Sequence, residues 1–420
     1  MKTIYKRHFI YTLLVFFMYC PIYSAQTKDN FVELEGKIVD AETNNPLVFV
    51  DIVITNSNIS TVTNSDGEFL LKVPRPLING TINITHLGYE KQEIQLSSMN
   101  KNERIKLIPA LTKLNEINIV ATSLNARELV EKTLKTKSTL YNNHNTLMTA
   151  FYRETIKKRR RNASLSEAVV KIHKQPYGNF RKDHIELVKA RKNTDYSKLD
   201  TLAVKLQGGP FGNLYTDIIK YPEYIFTEEN MMLYEFSYAN STIVNSELIY
   251  VVNFKQIEEV KDPLYYGKLY IDAKTLALTS AVYSLNVSNR ELSSRIFVRK
   301  KPRKVEVFPK EANYRVNYRT KDGLWHYAYS NISLTLKVNW KGKLFNSVYT
   351  LSSEMAITDW EIKDTKLAHV RNQLIRPTTI LTEKASGFSD PRFWGAYNII
   401  EPEKSIESAI KKIQRQLKKT

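Results

Sequence analysis

The 420-residue sequence contains a single cysteine, Cys20. If the chain is cut after Ala25 the mature protein has none, which excludes disulfides, thiolate metal sites and cysteine nucleophiles. Long apolar runs are also missing. The most apolar stretch, Phe9–Met18, is ten residues long, half of the roughly 20 needed to cross a bilayer as a helix. It follows Lys2, Lys6 and Arg7 and precedes Pro21 and Ala25-Gln26. That order predicts a secretory signal over residues 1–25, cleaved after Ala25. Tyr19 is too large to precede a lipidated cysteine, so a lipoprotein is not expected. A large exported protein without disulfides favours a bacterial source.

Catalytic signatures are equally scarce. None of the seven histidines opens a His-Glu-x-x-His or His-x-x-Glu arrangement, the spacings that aim two ligands at one metal. His184-Ile185-Glu186 would place a histidine and a carboxylate on one strand face, but the sequence names no third ligand. There is no Gly-x-Ser-x-Gly elbow. The Gly-rich stretch Gln207–Asn213 lacks the Lys-Ser/Thr of a phosphate loop and reads as a flexible connection. The carboxylates of Glu228-Glu229 and Glu258-Glu259 point apart on a strand, which suits turn or solvent positions better than paired acid–base work. The expectation is a protein that is not an enzyme, with no catalytic, cofactor-binding or metal residue to name. No internal repeat or low-complexity tract is present.

What the chain does carry is β-type sequence and positive charge. Residues 31–96 contain four short apolar alternations joined by turn residues: Gly36–Asp40, Pro46–Ile52, Thr61–Val73 with a hairpin at Asp66-Gly67, and Ile82–Tyr89. From 150 to 360 strands are expected at Glu247–Phe254, Tyr265–Asp272, Leu276–Val287, Tyr314–Thr320, Leu324–Tyr329, Ile332–Trp340 and Phe345–Leu351. Lys321-Asp322-Gly323 and Trp340–Lys343 supply turns, and Asp272 initiates another. Asn125–Leu140, with Leu129, Val130, Leu134 and Leu140 on a polar background, predicts an amphipathic helix. A second is expected after Pro402, with Ile406, Ala409, Ile410, Ile413 and Leu417 as its apolar stripe.

The net charge is +19. Residues 26–120 hold nine basic and twelve acidic side chains, so the excess belongs to the later part of the chain. Two runs concentrate it: Lys157, Lys158, Arg159, Arg160 and Arg161, and then Arg299, Lys300, Lys301, Arg303 and Lys304. Such runs usually mark solvated hairpin tips. In an exported protein they also suit an anionic membrane surface or acidic glycan, and not nucleic acid. Phe388, Phe393, Trp394 and Tyr397 are expected either to cover an open sheet end or to expose a docking patch at Phe393 and Trp394.

The ordered motifs of residues 31–96 resemble the carboxypeptidase regulatory-like domain, a prealbumin-like β-sandwich common in envelope proteins of Bacteroidetes-type bacteria. The resemblance implies a domain, ending near residue 110, that accompanies peptidases and outer-membrane receptors without carrying chemistry. Leu111–Val120 is similar to the connector that follows it in such receptors. A helix and then Phe151-Tyr152-Arg153-Glu154 is similar to uncharacterised Bacteroidetes envelope proteins that share this domain. The strand–Asp–turn–strand pattern at 266–275 resembles the half-barrels of periplasmic lipoprotein carriers, and Asp200-Thr201-Leu202 an O-glycosylation tripeptide of these bacteria.

The sequence thus predicts a mainly β protein. A signal at 1–25 precedes a sandwich at 26–110, a connector and helix at 111–149, a larger antiparallel β domain at 150–385 that suits a half-barrel with a few helices, and an aromatic segment and helix at 386–420. The expected role is non-catalytic binding or scaffolding in the periplasm or at the outer membrane, with an envelope protein or anionic surface as partner. The alternative is a periplasmic lipid or lipoprotein carrier whose curved sheet encloses an apolar ligand. Leu334, Leu336 and Val338 suit both.

Overall fold

The computed structural model describes residues 30–110, 123–159, 161–194, 208–244, 247–298, 301–342, 346–363, 367–386, 392–404, 406 and 408. The expected signal peptide with Cys20, the connector, the Asp200 tripeptide, Arg160, Arg299, Lys300, Phe388 and most of the C-terminal helix lie outside them.

The N-terminal domain packs two small sheets face to face. Its strands are β1 (Phe31–Asp40), β2 (Asp51–Ile54), β3 (Ser60–Val62), β4 (Glu68–Pro74), β5 (Thr81–Thr85), β6 (Gln92–Gln95) and β7 (Glu103–Leu107). One sheet runs β4-β1-β7 and the other β3-β2-β5-β6. The alternating apolar positions Ile38, Ile52, Ile54, Leu71, Val73, Ile82 and Ile84 meet between the sheets and are buried. The expected Asp66-Gly67 turn forms, with Gly67 at φ 74°. A Cβ there would meet the Ile38 carbonyl at 2.6 Å, so the close approach as well as the φ demands glycine.

The remaining strands are β8 (Thr146–Lys158), β9 (Arg161–Lys174), β10 (His184–Thr194), β11 (Tyr234–Val244), β12 (Glu247–Gln256), β13 (Tyr265–Asp272), β14 (Leu278–Leu285), β15 (Val305–Lys321), β16 (Leu324–Trp340), β17 (Ser347–Ile362) and β18 (Leu374–Ile375). They make one eleven-stranded antiparallel sheet, in the order β11-β12-β13-β14-β15-β16-β17-β8-β9-β10-β18. From β11 to β17 each strand pairs with its sequence neighbour. The return from β17 to β8 joins distant parts of the chain, with Met355 opposite Tyr152.

Helices α1 (Ala126–Lys135), α2 (Lys137–Leu140), α3 (Pro210–Leu214), α4 (Glu228–Met231) and α5 (Arg290–Phe297) accompany the sheet. The expected helix over 125–140 is divided, with Thr136 as C-cap of the first piece. Asn125 and Glu128 form a reciprocal capping box at its start. Leu129 and Val130 are buried in the main core, where Leu134 and Leu140 pack at the margin. The Gly-rich stretch is no loose connector: Gly208 and Gly209, both at positive φ, lead into α3, which buries Phe211, Asn213 and Leu214.

Helices and loops cover one face of the large sheet, here the inner face. Tyr152, Val170, Ile172, Val252, Ile271 and Met355 meet Leu129, Phe211, Leu214 and Ile219 there. A second apolar cluster joins Ile156, Leu285, Val305, Val307 and Tyr349 to Leu334, Leu336 and Val338, with Phe297 of α5 packed against it. The outer face carries the N-terminal domain. Phe151, Val169, Tyr329 and Ala356 of the large sheet bury Val62 and Leu70 of the sandwich together with Trp394, Ile399 and Ile400.

Candidate functional site

The seam between the two domains is hydrogen-bonded along its length. Ser60 Oγ donates to the Ile357 carbonyl at 2.9 Å, and Thr61 Oγ1 to the Ile399 carbonyl at 3.0 Å. Arg319 Nε donates to Asp51 at 2.7 Å and its Nη1 to Ser60 Oγ at 2.9 Å. Asn398 accepts from the Lys72 amide at 2.6 Å. Residues 392–401 thus form a strap bonded to both domains.

Beneath the strap lies a buried ion network. Alternation along β8 turns Phe151 and Arg153 outward and Tyr152 and Glu154 inward. Glu167 Oε1 accepts from Arg153 Nε at 2.8 Å, and its Oε2 from Arg191 Nε at 2.8 Å. Arg153 also reaches Glu354 at 3.1 Å and donates to the Ile400 carbonyl at 2.7 Å. Arg153 is 2 % exposed and Glu167 is fully buried. Burial alone would raise the Glu167 carboxyl, but the Arg153 and Arg191 guanidiniums more than offset it and hold it below its usual range. On the opposite face, desolvation pushes Glu154 up to about 7, although Tyr152 donates a hydrogen bond to it at 2.8 Å. The Phe-Tyr-Arg-Glu motif is therefore a two-faced core element.

A second buried cluster sits on the inner face. Lys174 Nζ donates to Asp183 at 2.8 Å and to Asp217 at 2.7 Å, while Tyr177 and Tyr318 donate to Asp217 at 2.9 Å each. It ties residues 217–221 to the end of β9 and leaves Lys174 enclosed by its partners.

Among the expected positions, Glu186 bonds His173 Nε2 at 3.1 Å, and His184 stands opposite His173 in the β9–β10 register. No three His, Cys, Asp or Glu side chains among the described residues are grouped to hold a metal. Glu228 and Glu229 are exposed in the first turn of α4, and Glu258 and Glu259 are exposed after β12. Trp394 corrects the expected docking patch: it is 4 % exposed, edge-on to Phe151 at 5.4 Å and under Arg191 at 4.7 Å. Phe393 is half-buried against it. These rings cover the outer face because the strap is bonded down on both sides.

The described residues of the two basic runs share one rim of the large sheet. Lys157 and Lys158 end β8, Arg161 opens β9, and Arg159 lies at the tip with φ 55°. The Arg159 amide donates to the Val348 carbonyl at 2.8 Å, β17 begins beside the end of β16, and the Lys341 amide donates to the Lys304 carbonyl at 3.0 Å. Lys301, Arg303 and Lys304 therefore stand on the same rim as the first run, three strand spacings or about 14 Å away. Arg159, Arg161, Lys301, Arg303, Lys304 and Lys341 are exposed. Lys157 is partly neutralised by Glu403 at 3.3 Å.

A cleft of about 610 Å³ opens between the sandwich and the outer face of the large sheet. Phe49, His86 and Arg315 line it. Phe49 holds φ 62°, a left-handed conformation that costs a bulky residue about 1–3 kcal/mol and persists only where its surroundings impose it. Its ring lies 4.9 Å from that of Tyr329 and 5.5 Å from the Arg315 guanidinium. Sequence reading missed this cleft, whose walls come from segments far apart in the chain.

Residues 34–119 match the family described as the CarboxypepD_reg-like domain. The match supports reading the N-terminal unit as a regulatory-like domain. No curated protein matches the chain. Among solved structures, a LolA superfamily protein from Nitrosomonas europaea is 9% identical, covering 59% of this chain and 98% of its own, with a TM-score of 0.23. A DUF1329 family protein from Desulfovibrio piger is also 9% identical, covering 58% and 95%, at 0.23. A putative membrane-associated protein of unknown function from Bacteroides fragilis covers 79% and 99% at 9% identity, with a TM-score of 0.15. Likeness at that level does not establish a common fold. The regulatory-like domain supplies β3, β4 and Phe49 to the seam and cleft.

Proposed function

We propose that this is a non-catalytic, exported protein of the bacterial cell envelope that binds or scaffolds in the periplasm or at the outer membrane, with the basic rim of its large sheet turned toward an anionic surface. The observation that carries this reading is the convergence of the two basic runs. One lies at the β8–β9 tip and the other before β15, yet the pairing of β15, β16, β17 and β8 aligns them. Each basic side chain near an anionic leaflet contributes about 1 kcal/mol, so the six exposed ones suffice for reversible docking. The regulatory-like domain and the strap would keep the sheet in one orientation on that surface.

The test is co-sedimentation of the mature chain with phosphatidylglycerol-containing and with pure phosphatidylcholine vesicles. Binding to the anionic vesicles alone, falling steeply with salt and lost in a Lys301→Glu/Arg303→Glu/Lys304→Glu variant that melts normally, is the expected result. Equal binding to both vesicles, or an unaffected variant, would overturn the reading.

A second reading, a lipid or lipoprotein carrier, draws on the apolar cluster beneath α5, whose Ile296 is 53% exposed. Displacement of α5 would open that cluster. Leu334, Leu336 and Val338 are at most 9% exposed, however, and are packed by other side chains. Filled inward positions favour the scaffold.

A further inference from the structure

We propose that the cleft between the regulatory-like domain and the large sheet binds the C-terminal end of a peptide, or an N-acylated amino acid, through its carboxylate, its adjoining N–H and an apolar side chain. Arg315 supplies the anchor. Outward alternation on β15 brings Asn313, Arg315, Asn317 and Arg319 to the face that the sandwich overhangs. Arg319 is committed to Asp51 and Ser60. Arg315, by contrast, makes no ion pair and no side-chain hydrogen bond among the described residues. The groups acting on it electrostatically are the phenols of Tyr329 and Tyr270, not carboxylates, and desolvation lowers its pKa. A half-buried guanidinium with open donors is a two-pronged receptor for a planar carboxylate.

The other unmet groups in this cleft have the opposite polarity. His86 Nε2 faces the Val48 carbonyl at 3.2 Å and donates to it, which leaves Nδ1 as an acceptor. That Nδ1 is buried without a partner, as is Asn83 Oδ1. Desolvation and the charge of Arg315 lower His86 to about 4, so the ring stays neutral and Nδ1 keeps its lone pair. The cleft therefore asks for one planar anion and for N–H donors close by, the pattern at the end of a peptide chain. Phe49, held in its strained conformation and half-buried over the Tyr329 ring, offers aromatic surface for the side chain.

A doubly charged phosphate fits less well, because Arg315 is the one uncommitted guanidinium among the lining residues. Arg319 is paired with Asp51, Lys91 with Glu93, Lys321 is bonded to the Ser57 carbonyl and Lys274 is turned to solvent. Acidic groups in the cleft do not oppose a monoanion strongly. Asp51 is paired with Arg319, and Asp272 accepts from the Thr275 amide at 2.6 Å. Glu247 and Asp322 are solvent-exposed. The volume of about 610 Å³ suits a ligand of one to a few residues.

Calorimetric titration of the mature chain tests this with N-acetyl-phenylalanine, N-acetyl-phenylalaninamide, 3-phenylpropionate and inorganic phosphate. The acid should bind, the amide about ten-fold more weakly, and phenylpropionate, which lacks the N–H, less tightly than the acid. Arg315→Lys, which keeps the charge but not the fork, should lose about ten-fold for the acid while melting normally. A longer peptide ending in Phe that binds more tightly than the acetylated residue would identify a chain terminus as ligand; equal affinity would identify a free N-acyl amino acid. Acid and amide binding alike, phosphate displacing the acid, an unaffected Arg315→Lys variant, or no binding of the acid at about 10 mM would each overturn the proposal. Charge reversal of the basic rim should leave these titrations unchanged, so this proposal and the membrane reading fail separately.

Discussion

Replacing Arg153 with Met removes the keystone of the outer-face network while keeping much of the side chain's length. In the native chain Arg153 lies 2.7 Å from Glu167, 3.1 Å from Glu354 and 2.7 Å from the Ile400 carbonyl, and it is 2 % exposed. Breaking a buried pair from one side costs about 3–5 kcal/mol, because the remaining charge keeps its desolvation penalty. Arg191 stays on Glu167 at 2.7 Å, which places the expected loss near the lower end, about 3 kcal/mol. Urea unfolding should show it as a lower midpoint, and hydrogen exchange should rise at 396–401, where the strap loses its anchor. The pH dependence has a definite sign. A carboxylate held below its usual range contributes stability above that range and loses it as pH falls through the depressed value. The native and Arg153→Met curves should therefore approach each other on acidification. In the double variant Arg153→Met/Glu167→Gln the losses should be sub-additive by about 1 kcal/mol or more. A single variant within about 1 kcal/mol of native, or full additivity, would refute the view that this network fastens the domains.

Two more outcomes follow from the same geometry. Desolvation holds Glu154 near 7, so the folded state keeps a proton that the unfolded chain loses at lower pH, and stability falls as pH rises from about 4.5 to 7. Glu154→Gln should flatten that fall and gain up to about 3 kcal/mol at pH 8; chemical unfolding at pH 5 and pH 8 checks it, and an unchanged slope counts against the assignment. Trp394→Ala removes a buried indole from between Phe151 and Arg191 and should cost about 3–5 kcal/mol, read by thermal melting. A loss below about 1 kcal/mol would mean the strap is not seated as described.

The fold was legible where the chain pairs with itself locally. Alternation gave β12 to β17 their positions, though with β16 as two runs, and Asp272 and Gly323 sit in turns. The four alternations of residues 31–96 supply β1 to β5 of the small sandwich, without β6 and β7. The expected strand at 265–272 coincides with β13, and that at 276–287 overruns β14 by two residues at each end. In contrast, β15, β16 and β17 were drawn too short, because their outer positions carry Arg, Asn, Ser and Thr that read as strand ends facing water. Some of them, such as Arg319, face the other domain instead, and others, such as Ser330 and Ser353, are bonded to Asn213 of α3. For the same reason Glu167, Arg191 and Arg315 were invisible as site residues, since a charged residue on an alternating strand looks solvated until something covers it. Only Arg153 stood out, through its motif. The convergence of the basic runs was conditional on the β17–β8 pairing, a long-range contact that no local pattern announces. Trp394 was ambiguous in sequence, and its place depends on the strap's bonds to Lys72 and Thr61.

The most direct test of the central claim, that this is a filled binding scaffold and not a carrier, is native mass spectrometry of the mature protein gently released from its own host's envelope, alongside the rim-reversed triple variant. A bare chain, or one holding another protein, is the predicted result for both. A stoichiometric lipid that persists in the rim-reversed variant would contradict it and place the ligand beneath α5.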